Sequence, residues 1–227
     1  MMKKLICFPY AGGSSAIYTE LKRKLGRYID VVPIDYSGHG MRMFEELPKS
    51  LEETADDAYR LVKELVGQDD YVLFGYSMGA LVAYEVAKRL EQNGDKLPLT
   101  IIFTSSNPPG ISEVDGDIFA YDDDAFLRSV IELGGMTDEI LEDEELKSFF
   151  APILRSDFRQ IYDYKGSDYK LNQDIVVLYT VDEKYFLDWK NFTNKACKLI
   201  PMQGGHFFIH DRVEDLASVI RTVISAV

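Results

Sequence analysis

Cysteine is scarce in this 227-residue chain: there are two, Cys7 and Cys197, both in apolar, strand-like runs and neither with a CxxC partner. That argues against a disulfide scaffold or a zinc site and predicts two buried thiols. Long apolar runs are also missing. The longest, from Tyr71 to Tyr84, is broken by glycines and a serine and falls short of the ~20 residues a membrane span requires. At the start, Met1-Met2-Lys3-Lys4 has the basic character of a signal peptide, but Pro9 and Gly12-Gly13 interrupt it before an apolar core can form, so a cytoplasmic protein is expected. Positive charge is the third shortage. Of the net charge of −13, a balance of −11 lies between Glu113 and Lys147, where thirteen acidic residues face only Arg128 and Lys147. The rest of the chain is nearly neutral and offers no Lys/Arg stripe for phosphates, which argues against nucleic acid and against an anionic membrane as partners.

What is present is an alternation of short apolar runs and helix-period segments, the pattern of parallel strands with crossover helices. Strands are expected at Lys4 to Pro9, Tyr28 to Ile34, Val72 to Gly75, Leu99 to Thr104, Ile175 to Tyr179 and Cys197 to Pro201. Helices fit Ser15 to Leu25, Ser50 to Val66, Met78 to Asn93 with Gly94 as its stop, and Val213 to Ile224. From about Pro108 to Leu171 the rhythm breaks. That stretch reads as two or three amphipathic helices, one over Asp124 to Leu133 closed by Gly134-Gly135, and predicts a helical lid inserted into a single domain.

Gly75-Tyr76-Ser77-Met78-Gly79 is a G-x-S-x-G set between a strand and a helix. A match at all three fixed positions arises by chance with a probability of about 0.1 in a chain of this size, so the context carries the argument. A nucleophile elbow needs glycines on both flanks because its serine is held in a strained turn that exposes the hydroxyl. Ser77 is therefore the candidate nucleophile. Its base should be a histidine after the last strand, and of His39, His206 and His210 only the first has the wrong chain order. His206, in a loop opened by Gly204-Gly205, is the expected base, with His210 at a following helix start as the lesser alternative and His39 as a turn or pocket-rim residue. The acid should follow the penultimate strand, where Val181-Asp182-Glu183-Lys184 lies. Asp182 is expected, Glu183 is also permitted, and Asp188 lies farther along beside Trp189. For the oxyanion, the Met78 N–H and a second N–H from the loop Tyr10-Ala11-Gly12-Gly13 are expected, from Ala11 or Tyr10.

The segments Phe8-Pro9-Tyr10-Ala11-Gly12-Gly13, Pro33 to Gly40 with its Ser37-Gly38-His39-Gly40, Phe74 to Ala80 around Ser77, Leu133-Gly134-Gly135-Met136, Pro152 to Phe158, and Gly204-Gly205-His206-Phe207-Phe208 together resemble the type II thioesterases of nonribosomal peptide and polyketide synthases. The resemblance spans nearly the whole chain. It implies an α/β-hydrolase fold, a mostly parallel central sheet flanked by helices with a helical lid insertion. It also implies hydrolysis of acyl groups misattached to the phosphopantetheine arm of acyl or peptidyl carrier proteins, with no metal or cofactor of the enzyme's own. Two departures stand out: Thr180 replaces the family's usual glycine before the acid, where the loop is also short, and Asp35-Tyr36-Ser37 replaces a proline-rich turn. A small-molecule esterase or lipase, and a catalytically silent binding protein on the same fold, are the competing readings. Acidic carrier proteins would be repelled by the Glu113 to Lys147 cluster, so Arg155, Arg159, Lys165 and Lys170 are the expected contacts, unless Arg155 instead pairs with Asp157 or another lid carboxylate.

Overall fold

The computed structural model describes residues 2–227. Six strands, β1 (Lys4–Phe8), β2 (Asp30–Pro33), β3 (Tyr71–Tyr76), β4 (Ile101–Thr104), β5 (Ile175–Tyr179) and β6 (Cys197–Pro201), form one sheet in the order β2-β1-β3-β4-β5-β6. Every neighbouring pair is parallel, so the expected mostly parallel sheet is parallel throughout the described strands. Helix α1 (Thr19–Leu25) follows a 3₁₀ turn at Ser15–Tyr18, splitting the single helix expected there. Helices α2 (Leu51–Val66) and α3 (Met78–Asn93) match their expected spans. Ser50 caps α2 by accepting the Glu53 N–H, and Gly94, at φ 66°, ends α3 in the left-handed conformation that glycine adopts without penalty.

Between β4 and β5 the chain carries no described strand. It forms a 3₁₀ turn at Gly116–Ala120 and helices α4 (Asp123–Glu132), α5 (Glu139–Glu142) and α6 (Glu144–Asp163). After β6 come the short α7 (Phe208–Asp211) and the closing α8 (Val213–Ser225). No helix is long and apolar enough to cross a membrane among the described residues.

Alternation along the strands divides the core. Ile6, Phe8, Leu73 and Ile101 face the side covered by α2 and α3, whereas Leu5, Cys7, Val72, Phe74 and Ile102 face α1 and α8. A third apolar cluster, Phe126, Leu127, Val130, Ala151 and Leu154, holds α4 to α6. Cys7 is fully buried, and burial pushes its thiol well above the ordinary range, leaving it an inert core residue; Cys197 is half-buried. The strand order reverses between β1 and β3, and in open parallel sheets the crevice outside such a reversal is where ligands bind. The loop after β1 and the turn after β3, which hold Ala11 and Ser77, meet there.

Candidate active site

Ser77 closes β3 and caps α3 with φ 55° and ψ −118°, a strained conformation for a residue other than glycine. The flanking glycines make the turn possible by lacking a side chain. A Cβ on Gly75 would lie 2.2 Å from the Gly79 carbonyl oxygen, and one on Gly79 would lie 2.1 Å from that of Phe8. Helix α3 can thus pack directly on β1 and β3, which lifts the serine hydroxyl clear of the sheet.

His206 lies on the loop between β6 and α7, with Nε2 3.1 Å from Ser77 Oγ. Tyr76, the neighbour of the serine, donates its hydroxyl to the His206 carbonyl at 2.6 Å and accepts the Ile209 N–H at 3.3 Å, fastening the histidine loop to the elbow. From the other side Phe207 packs against Gly134-Gly135, where a Cβ on Gly135 would come within 2.5 Å of the ring. Burial lowers the His206 pKa and keeps the ring neutral at neutral pH, the form that can accept a proton from Ser77. His210 instead bonds the Tyr10 hydroxyl through Nε2 at 3.0 Å. His39, expected at a turn or pocket rim, is buried and paired with Asp157, because the insertion covers it.

The two acid candidates part company here. Asp182 is exposed and makes no hydrogen bond to His206, whereas the adjacent Glu183 is turned inward. Its Oε1 is buried without a hydrogen-bond partner among the described residues, as are Ser105 Oγ and Thr180 Oγ1 nearby, and burial pushes the carboxyl up to about 7. The Nδ1 of His206 likewise has no partner among the described residues.

In the loop after β1, the Gly13 N–H is bonded to the Tyr10 carbonyl at 2.9 Å and the Gly12 N–H to Asp157 at 2.7 Å. The N–H groups of Tyr10 and Ala11 have no partner among the described residues and remain for a ligand. Met78 begins the helix at the elbow, where backbone N–H groups are free of intrahelical bonds. These groups border a cavity of about 830 Å³, roofed by the insertion through Ile118, Val130, Leu133, Met136, Phe150 and Phe158. Its wall is mostly apolar, interrupted by the carboxylates of Glu113, Asp115 and Glu139 and by polar side chains such as Ser105, Asn107, Ser112 and Thr137.

Of the basic residues expected to meet a carrier, Arg155 is tied inside the insertion. It pairs with Asp123 at 2.9 Å, bonds the Tyr121 carbonyl and lies over the Phe126 ring, rather than reaching Asp157. Arg159 is exposed, its guanidinium 3.7 Å from the centre of the Phe119 ring.

A strained serine between a parallel strand and a helix, bonded to a histidine after the last strand, defines an α/β hydrolase with a nucleophile elbow. Within that class the chain belongs to the thioesterase domain family, whose model matches residues 3–224. It is 31% identical over 219 residues to a probable cadicidin biosynthesis thioesterase of Streptomyces griseus, covering 93% of this chain and 59% of that protein's length. Among solved structures, ClbQ from the colibactin NRPS/PKS pathway superposes with a TM-score of 0.90 at 25% identity, covering 100% of this chain and 98% of that one. The type II thioesterase BorB from the borrelidin biosynthetic cluster superposes at 0.86 with 27% identity, over 98% and 92% of the two chains.

Proposed function

We propose that this protein is a type II thioesterase, a serine hydrolase that cleaves acyl thioesters from the phosphopantetheine arm of acyl or peptidyl carrier proteins and so edits misprimed nonribosomal peptide or polyketide synthases. The carrying observation is the 3.1 Å contact between Ser77 Oγ and a buried, neutral His206 at the mouth of an apolar cavity large enough for an acyl chain. The names of the relatives and the solved structures support the carrier-bound substrate.

Ser77 attacks the thioester carbonyl while His206 Nε2 takes its proton. The oxyanion is received by the N–H groups of Met78 and of Ala11 or Tyr10. Collapse breaks the C–S bond, and the imidazolium returns the proton to the departing thiol. Water, deprotonated by the same histidine, then adds to the acyl-serine and releases the carboxylic acid. Glu183 is the better candidate for the third member: its unpartnered, buried oxygen suits the Nδ1–H that a proton-accepting His206 must carry, whereas Asp182 stands in solvent. No step draws on a metal or on a cofactor of the enzyme; the phosphopantetheine arrives with the substrate. The apolar walls favour aliphatic acyl groups.

The test is mass spectrometry of acyl-loaded carrier proteins incubated with the enzyme and with Ser77→Ala. Release of the acyl group by the parent, and kcat at least about 10³-fold lower in the variant, are expected. Hydrolysis by Ser77→Ala within tenfold of the parent rejects the nucleophile. A small-molecule ester cleaved as fast as the carrier-bound thioester makes the protein an esterase instead.

A further inference from the structure

We infer that Asp157 is a positioning residue for the oxyanion loop, joining helix α6 of the insertion to the backbone beside Ala11. This rests on the reading of Ser77 as nucleophile and of that loop as the source of an oxyanion donor. Asp157 is fully buried, and its Oδ2 accepts two hydrogen bonds, from Gly12 N–H at 2.7 Å and from His39 Nε2 at 2.9 Å. The first bond fixes the peptide that joins Ala11 to Gly12. With Gly13 N–H already turned onto the Tyr10 carbonyl, the loop is held at both amides downstream of Ala11, while the N–H groups of Tyr10 and Ala11, which line the same cavity as Ser77, carry no bond among the described residues.

The rest of α6 reinforces this placement. Leu154, about one turn before Asp157, lies so close that a Cβ on Gly12 would meet its Cδ2 at 2.4 Å. Gly12 has φ +74°, so glycine is required both by the turn and by the approach of the helix. The partner of the carboxylate is equally committed. His39 Nδ1 lies 3.0 Å from the Ser37 carbonyl, which can only accept, so Nδ1 carries a proton. Nε2 faces the carboxylate, so the ring is an imidazolium while Asp157 is ionised. Burial opposes that charge, but the hydrogen bond and charge of Asp157 outweigh it and raise the His39 pKa, with smaller help from Ser37 and Asp35.

The helix does not depend on Asp157 alone for its seat. Gln160 accepts the Thr54 hydroxyl at 2.6 Å, and Ser156 donates to the Pro48 carbonyl at 3.0 Å. A buried ion pair replaced on both sides by apolar groups is often tolerated, whereas removing one partner leaves a stranded charge. The two ways of removing the carboxylate therefore differ in stability but share the loss of the 2.7 Å acceptor for Gly12, together with the longer 3.4 Å bond from Gln160 Nε2 to Oδ1 within the same helix.

The experiment measures kcat and KM on a soluble acyl thioester, and the affinity of an alkyl boronic acid, whose serine adduct places an oxygen in the oxyanion hole. It compares the parent with Asp157→Asn, Asp157→Ala and the double variant His39→Met with Asp157→Leu. The asparagine retains an oxygen that can accept the Gly12 N–H. It should stay within about fivefold of the parent in kcat. Asp157→Ala and the double variant should lower kcat by roughly 10- to 100-fold, below the 10²- to 10³-fold loss of a whole donor, with KM within threefold and boronate affinity falling in parallel. Should the alanine variant not fold, the double variant carries the comparison. Unchanged kcat and boronate affinity in a folded double variant would overturn the inference, as would a loss confined to KM or an asparagine variant as impaired as the others. If the parent binds the boronate at Ser77 but cleaves no acyl thioester, the thioesterase reading fails, and the boronate ratios still decide the role of Asp157.

Discussion

Replacing Glu183 with glutamine should stabilise the fold while impairing the site. Burial holds the proton of its carboxyl to about pH 7, against an ordinary value of 4.5. Between those values the folded chain binds a proton that the unfolded chain has released, so stability falls as pH rises through the window, and the full penalty applies above pH 7. At 1.36 kcal/mol for each tenfold difference in proton affinity this amounts to at most about 3 kcal/mol, reduced by whatever solvent reaches the carboxyl. Glutamine carries no such penalty. Equilibrium urea unfolding should find Glu183→Gln within about 0.5 kcal/mol of the parent at pH 4.5 and up to about 3 kcal/mol more stable at pH 8.5. For a chain of this size, that gain corresponds to a Tm higher by roughly 5 to 10 °C. In the same preparations kcat should fall by about 10⁴-fold, by analogy with removal of the acid from a serine-protease triad, while Asp182→Asn loses less than tenfold. A stability change independent of pH, or a loss at pH 8.5, would refute the burial argument. The reverse ranking of the two activities would return the role of acid to Asp182.

The proposed triad works with Glu183 ionised and His206 neutral, so kcat/KM should climb as pH rises through about 7 and then level off; a profile flat from pH 5 to 8 would exclude both groups from the rate. Gly79→Ala would force a methyl within 2.1 Å of the Phe8 carbonyl oxygen and should lower stability by at least about 3 kcal/mol in urea unfolding; a soluble variant within 1 kcal/mol of the parent contradicts the packing. Arg155→Glu breaks the contact with Asp123 and should impair carrier-bound and small acyl thioesters alike, whereas Arg159→Glu, at an exposed position, should raise KM only for the carrier-bound substrate. Steady-state kinetics on both substrates decides, and equal effects from Arg159→Glu would remove it from the docking surface.

Much of this was legible because the signals are local. A parallel strand buried on both faces reads as a short apolar run, so Ile175–Tyr179 was delimited to the residue; the half-exposed edge strand Cys197–Pro201 was delimited too, as a short run ending at Pro201. Met78–Asn93 was too, because the elbow begins it and Gly94 ends it. The elbow serine and the late histidine follow from chain order, and their contact of 3.1 Å agrees with it. Spacing could not say which of two adjacent carboxylates turns inward. Asp182 and Glu183 share one short loop, and only the packing of that loop against the ends of β4 and β5 buries one and leaves the other in water. Nor could it show that His39 and Asp157, 118 residues apart, meet beneath the insertion, or that Arg155 turns to Asp123. A helical period marks which face of α6 is apolar, but a buried carboxylate on that face has a partner only once the sheet, the glycine loop and the insertion are brought together. Local propensity and chain order determined the scaffold and the candidate nucleophile with its candidate base; the burial of particular charges, and hence what tunes them, was decided by tertiary packing, because desolvation and pairing depend on groups that are distant along the chain.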